Sequence, residues 1–203
     1  MRDASGRDPR SFDPVVVGHH ETDAWAAYYR HEWPAFLRGA YGMVSAGFGL
    51  LPVDAVRGAW WVLRANQLWA PYPDNDPQGA REQMRRFYAL VARHGGLAID
   101  PARASALEVE WWRVHRAHQH HEDVTRDQLV AALVDLYAYV YTADPASLET
   151  AAQHRVEAMD LSDRWVAAGC DRADPLLAAE RRALVASYSA LLDAVVRVQD
   201  RPS

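Results

Sequence analysis

Four Asp-Pro pairs, Asp76-Pro77, Asp100-Pro101, Asp144-Pro145 and Asp174-Pro175, constrain this chain more than any other feature. Proline at the first helical position loses nothing, because the N–H there has no intrahelical partner. An aspartate before it caps the free amides and faces the positive end of the helix dipole. Each pair precedes a run with helical periodicity, so the pairs divide much of the chain into helices. Residues that favour pleated sheet are scarce, with 36 alanines against one isoleucine and four threonines. The expected fold is all-α: a single compact bundle of seven to eight helices.

The helix opened by Pro77 places Ala80, Met84, Phe87 and Val91 on one face and Arg81, Arg85 and Arg86 away from it, and Gly95-Gly96 ends it. From Pro101 the stripe is Ala104, Leu107, Trp111, Val114 and His118. Thr125 and Gln128 form a capping box for the next helix, and Pro145 and Pro175 open two long final ones. Earlier, one helix runs from about Asp23 toward Pro34, which either kinks it or starts a second reaching about Phe48. A third, from about Pro52 to Trp69, is read with Val53, Val56, Trp60 and Leu63 inward. Residues 1–21 read as a disordered tail and 22–203 as one helical domain.

Two segments depart from simple amphipathicity. Over 129–141 both the 129/133/136/140 and the 130/134/137/141 stripes are apolar, which predicts a central helix buried nearly all round with Asp135 enclosed in it. Over 39–49 the small residues Gly39, Gly42, Ala46 and Gly49 recur at helical spacing. Such a face lets another helix or a flat ligand approach closely.

Composition removes several functions. All 22 basic residues are arginine, so no lysine Schiff base, lysine general base or phosphate-loop lysine exists. A GC-rich coding sequence of the kind typical of actinobacteria is the expected cause of that bias. The net charge of −5 argues against nucleic acid, which demands a basic face. One cysteine, Cys170, permits no internal disulfide or multi-cysteine metal site. The longest uncharged apolar stretch, Gly39 to Val53, is shorter than the roughly 20 residues of a membrane span, and no signal peptide is legible. A cytoplasmic protein without a membrane partner is the expectation. Zincin, Gly-x-Ser-x-Gly and glycine-rich phosphate-loop patterns are absent.

Two chemistries remain. Four of the nine histidines fall within His115–His121. His118, His120 and His121 suit the negative end of a terminating helix, but His115 lies further inside. Glu108 and His115 stand two turns apart on one face with Trp112 between them, so a carboxylate and an imidazole can point at one metal ion. Asp135, His154 and Glu157 on later helices, and Glu32 on the first, complete an inventory of an acidic or imidazole group per helix on four helices, which a carboxylate-bridged two-metal bundle requires. The Glu-x6-His spacing resembles the first ligand helix of the heme-oxygenase-like diiron oxidases. That resemblance implies a helical bundle holding iron, although the family's later His-x3-Asp-x2-His helix has no counterpart here. Ordinary helix ion pairs are the competing role for these groups.

The second chemistry is apolar binding. Trp61, Trp69, Tyr72 and Trp112, with Arg64, are candidates to line a pocket for a small apolar molecule. Adjacent tryptophans on a helix point about 100° apart, so Trp61 and Trp112 either enter an interhelix pocket or mark a homodimer surface. The leading expectation is therefore a protein that binds a small apolar ligand or a second copy of itself. The alternative is a non-haem iron oxygenase or oxidase.

Overall fold

The computed structural model describes residues 9–95, 97–120 and 123–199. Among them are eight α-helices and no strand: α1 Pro14–Tyr29, α2 Trp33–Phe48, α3 Pro52–Trp69, α4 Pro77–Gly95, α5 Pro101–Gln119, α6 Arg126–Tyr141, α7 Pro145–Ala167 and α8 Pro175–Gln199. The caps act as their chemistry requires. Asp100 and Asp144 accept from the amides of Ala102 and Ala146, Asp76 from Gly79 and Asp174 from Leu176. Thr125 and Gln128 form the reciprocal capping box. Pro34 starts α2 rather than kinking α1.

The helical domain begins earlier than residue 22. Asp13 caps α1 through the amides of Val15 and Val16, so Asp13-Pro14 is a fifth use of the same device. Phe12 and Val17 are buried in the main core, which draws residues 12–21 out of the expected tail; residues 1–8 lie outside the described set.

Each helix packs on the next in sequence, and α8 returns to pack on α1, closing a ring. Added Cβ atoms at Gly39, Gly42 and Gly47 would face Ala24, His20 and Val17 respectively, so α1 and α2 run antiparallel. Arg181 meets Asp23, Val185 meets Gly18 and Tyr188 meets Phe12, so α8 and α1 do too. Short connections favour antiparallel neighbours throughout, and an even number of alternating helices closes without a parallel seam. The small-residue face of α2 brings a helix close, as its pattern requires: at Gly39 a Cβ would come within 2.9 Å of the Ala24 amide nitrogen.

Two faces differ from their reading in the sequence. In α3 the buried residues are Ala55, Gly58, Ala59, Val62, Leu63, Ala65 and Trp69, while Val53, Val56 and Trp60 are exposed. Small residues face inward there because α2 lies close: a Cβ at Gly58 would meet Val44 at 3.0 Å. In α6 Leu129, Leu133, Leu136 and Val140 are buried, as are Val134, Tyr137 and Tyr141. Yet Asp127, Ala131 and Asp135 form an exposed ridge, because α6 packs on α5 and α7 as a member of the ring and not at its axis. Asp135 is therefore not an enclosed charge.

Candidate functional site

A ring of helices has an axis, and side chains must fill it. Here they leave a cavity of about 170 Å³ whose lining includes residues from all eight helices. Most of the wall is apolar or aromatic, with Val17, Phe36, Val62, Phe87, Leu133 and Leu191 among its members. Among the described residues three charged side chains reach it: Glu21 from α1, Glu108 from α5 and Arg155 from α7.

Arg155 and Glu21 form a buried two-pronged pair. Nη1 donates to Glu21 Oε2 at 2.8 Å, Nη2 donates to Oε1, and the Tyr188 hydroxyl donates to Oε2 at 2.5 Å. The guanidinium also lies over the rings of Trp25, at 5.3 Å, and Trp111, at 5.6 Å. Burial alone would weaken its hold on its proton, but Glu21, helped by Tyr137 and Tyr188, more than offsets this, so Arg155 stays charged.

Glu108 is held differently. The Tyr88 hydroxyl donates to Oε2 at 2.6 Å and the Trp112 indole N–H donates to Oε1 at 3.1 Å. Both donors are neutral. Removal from water raises the carboxyl's pKa above its ordinary value, and the bond from Tyr88 and the charge of Arg155 offset this only in part. Tyr88, Tyr137 and Tyr141, which share the cavity wall, are likewise raised by burial.

A second hollow of about 220 Å³ lies against the first. The two share Trp25, Asn66, Trp111 and Trp112, which form the partition between them. The outer hollow reaches the surface beside Tyr72, which is 52% exposed and stacks on His120 at 4.1 Å. Arg116 braces it by donating to the Trp69 carbonyl at 2.7 Å and the Tyr28 hydroxyl at 3.1 Å, with its guanidinium over the Trp69 ring. His115 lines the same hollow and faces Asp163 at 3.3 Å, and Gln119 donates to the other oxygen of Asp163 at 2.7 Å.

Comparison with protein-family models, curated proteins and solved structures finds no match to this chain. Its chemistry must be argued from the site itself.

Of the residues that the sequence proposes for an apolar ligand, Trp69, Tyr72 and Trp112 line the outer hollow, and Trp112 also lines the inner cavity. Trp61 and Arg64 line neither; Trp61 is half-buried against the core, and exposed Arg64 donates to Gln67. Trp112 is buried, so it marks no dimer surface, and the exposed member of the other tryptophan pair is Trp60.

The proposed metal ligands do not converge. Glu108 faces the inner cavity and His115 the outer hollow. Glu32 sits on the surface between Arg30 and Arg172, and those two hydrogen bonds lower its pKa. Asp135 is exposed, and His154 and Glu157 form an exposed pair of their own at 3.3 Å. Among the described residues no three His, Cys, Asp or Glu side chains could hold one ion. The two-turn spacing of Glu108 and His115 does place both on the inner side of α5, but the partition formed by Trp111 and Trp112 lies between the spaces they face. Of the remaining histidines, His118 meets the Val124 carbonyl at 3.3 Å and His120 caps α5; His121 lies outside the described residues.

Sequence reasoning missed the Arg155–Glu21 pair, whose members lie far apart in the chain. It also missed Glu180 on α8, a fully buried carboxyl with no hydrogen-bond partner on either oxygen. Glu180 interrupts an otherwise apolar or small stripe, Leu177, Leu184, Ser187 and Leu191, and that interruption was the available signal.

Proposed function

We propose that this protein binds a small apolar molecule in the cavity on the axis of its helical ring. The observation that carries the reading is the cavity itself, a largely apolar enclosure into which a few fixed polar groups project from different helices. Ligand sites in general have that composition. Its volume suits a single-ring compound, since an apolar protein cavity of about 150 Å³ takes up benzene. The outer hollow supplies a route from solvent, with the Trp25, Asn66, Trp111 and Trp112 partition as the place where entry is controlled.

Three tryptophans, Trp25, Trp111 and Trp112, line the cavity, so occupancy changes intrinsic fluorescence. Toluene and ethylbenzene should perturb the emission and raise the melting temperature of the wild type. Gly47→Leu should abolish both effects by filling the space, because an added Cβ at this wall position meets only Val17, at 3.8 Å. No response in the wild type, or an undiminished response in the variant, would refute the reading.

A separate observation favours self-association as a second role. Leu51, Val53, Val56 and Trp60 present a continuous apolar strip, at 47%, 65%, 56% and 52% exposure. Exposed apolar strips of this kind mark contact surfaces. Sedimentation across a dilution series should show a dimer that Trp60→Glu dissociates; a monomer at every concentration would remove this role. The iron-oxidase alternative has no comparable support, because its six candidate ligands do not converge on one point.

A further inference from the structure

We propose that the occupant of the central cavity is a small organic cation, a one-ring amine whose ammonium group pairs with Glu108. The inference rests on the cavity-binding reading above and adds to it the charge of the ligand.

Among the described residues three charged side chains face the cavity, two negative and one positive. Arg155 commits both terminal nitrogens to Glu21, which also accepts from Tyr188. That pair is internally neutral and both terminal nitrogens are engaged, which leaves only the buried Nε of Arg155 without a partner. Glu108 has no such partner: its two hydrogen bonds come from Tyr88 and Trp112, neither of which carries charge. A carboxylate offers about four acceptor positions, so two remain for a ligand. Removing a lone carboxylate from water is costly unless a counter-charge accompanies it, and among the described residues no guanidinium or imidazole forms an ion pair with Glu108 within 4.0 Å: Arg155 pairs with Glu21 and His115 with Asp163. The charge of Arg155, already paired with Glu21, offsets the burial of Glu108 only in part, and a cation entering the cavity supplies the remainder.

The surrounding walls suit the same ligand. Trp111, Trp112 and Tyr88 line the cavity beside Glu108, and aromatic faces attract ammonium groups most strongly where water is excluded. The apolar remainder of the wall takes the body of the ligand. An anion would meet Glu108 head-on, and a neutral hydrocarbon would leave its charge only partly compensated by Arg155.

The test uses the full chain and three probes of one ring size: benzylamine, ethylbenzene and benzoate. Calorimetry at neutral pH should rank them in that order, with benzylamine bound at least about tenfold more tightly than ethylbenzene, as a charge-assisted hydrogen bond implies. Glu108→Gln should bring benzylamine and ethylbenzene to near-equal affinity, whatever its effect on ethylbenzene binding itself. Because the ranking is measured on the wild type alone, the proposal stays exposed to refutation even where the variant folds poorly. Ethylbenzene binding as tightly as benzylamine, benzoate binding best, or a ranking that survives Glu108→Gln would overturn the cation assignment while leaving the cavity reading intact. Failure of all three probes to bind would overturn both.

Discussion

Replacement of Glu180 by glutamine should change how the stability of this protein depends on pH. Glu180 is fully buried among α1, α7 and α8, and neither carboxyl oxygen has a hydrogen-bond partner. Removal from water, reinforced by the negative charge of Glu21, pushes its pKa up from 4.5 to about 8. The folded chain therefore keeps this proton to about pH 8, whereas the unfolded chain releases it near the ordinary carboxyl value. Between those limits the folded state binds more protons, so stability contributed by the protonated group is complete at low pH and declines as pH rises. At 1.36 kcal/mol per pH unit, the full decline amounts to about 5 kcal/mol, a large part of the 5–15 kcal/mol that typically holds a domain together. Glutamine cannot titrate. Urea unfolding of both proteins at intervals from pH 5 to pH 9 should show the advantage of Glu180→Gln growing up to about pH 8, reaching several kcal/mol there and levelling off above it. Any constant offset from the buried amide cancels when the pH dependence of the difference is taken. Parallel profiles for the two proteins would refute the reasoning.

Arg155→Met should destabilise by about 3–5 kcal/mol in chemical denaturation, because it strands Glu21 as a buried unpaired charge, and Glu21→Met with Arg155→Met together should recover part of that loss. Gly39→Ala should cost about 1–3 kcal/mol as overpacking, since its Cβ would meet backbone of α1 at 2.9 Å; an unchanged denaturation midpoint would show that α1 and α2 are less tightly apposed. Asp135→Leu, at an exposed position, should leave stability within about 0.5 kcal/mol, and a larger effect would place that ridge of α6 against another surface.

What the sequence reveals follows the range of the interaction involved. Helix starts are legible because Asp-Pro caps act within one turn, and Asp13-Pro14 obeys the same rule as the four pairs recognised from the sequence. The inward face of α3 is not legible from hydrophobicity, because Val53, Val56 and Trp60 form the stronger apolar stripe. Proximity to α2 instead selects Gly58 and Ala59 for the interior. The stripes of α6 mark a broadly buried helix, but they do not distinguish a helix on the axis from one in the wall, and Asp135 takes opposite environments in the two cases. At the site, the Glu108–Trp112 bond lies within one helix and the residues were recognisable together. Tyr88, Glu21 and Arg155 come from other helices, and only closure of the ring assembles them.

In a closed ring every helix has two flanking neighbours, so the order in which the chain visits them is set by where it happens to be opened. Cutting one connecting loop and bridging α8 to α1 would keep each lateral interface while moving the termini to another position on the circumference. The same eight segments thus admit a set of circularly permuted sequences with one shared interior, and the contents of that interior are independent of which helix is made first.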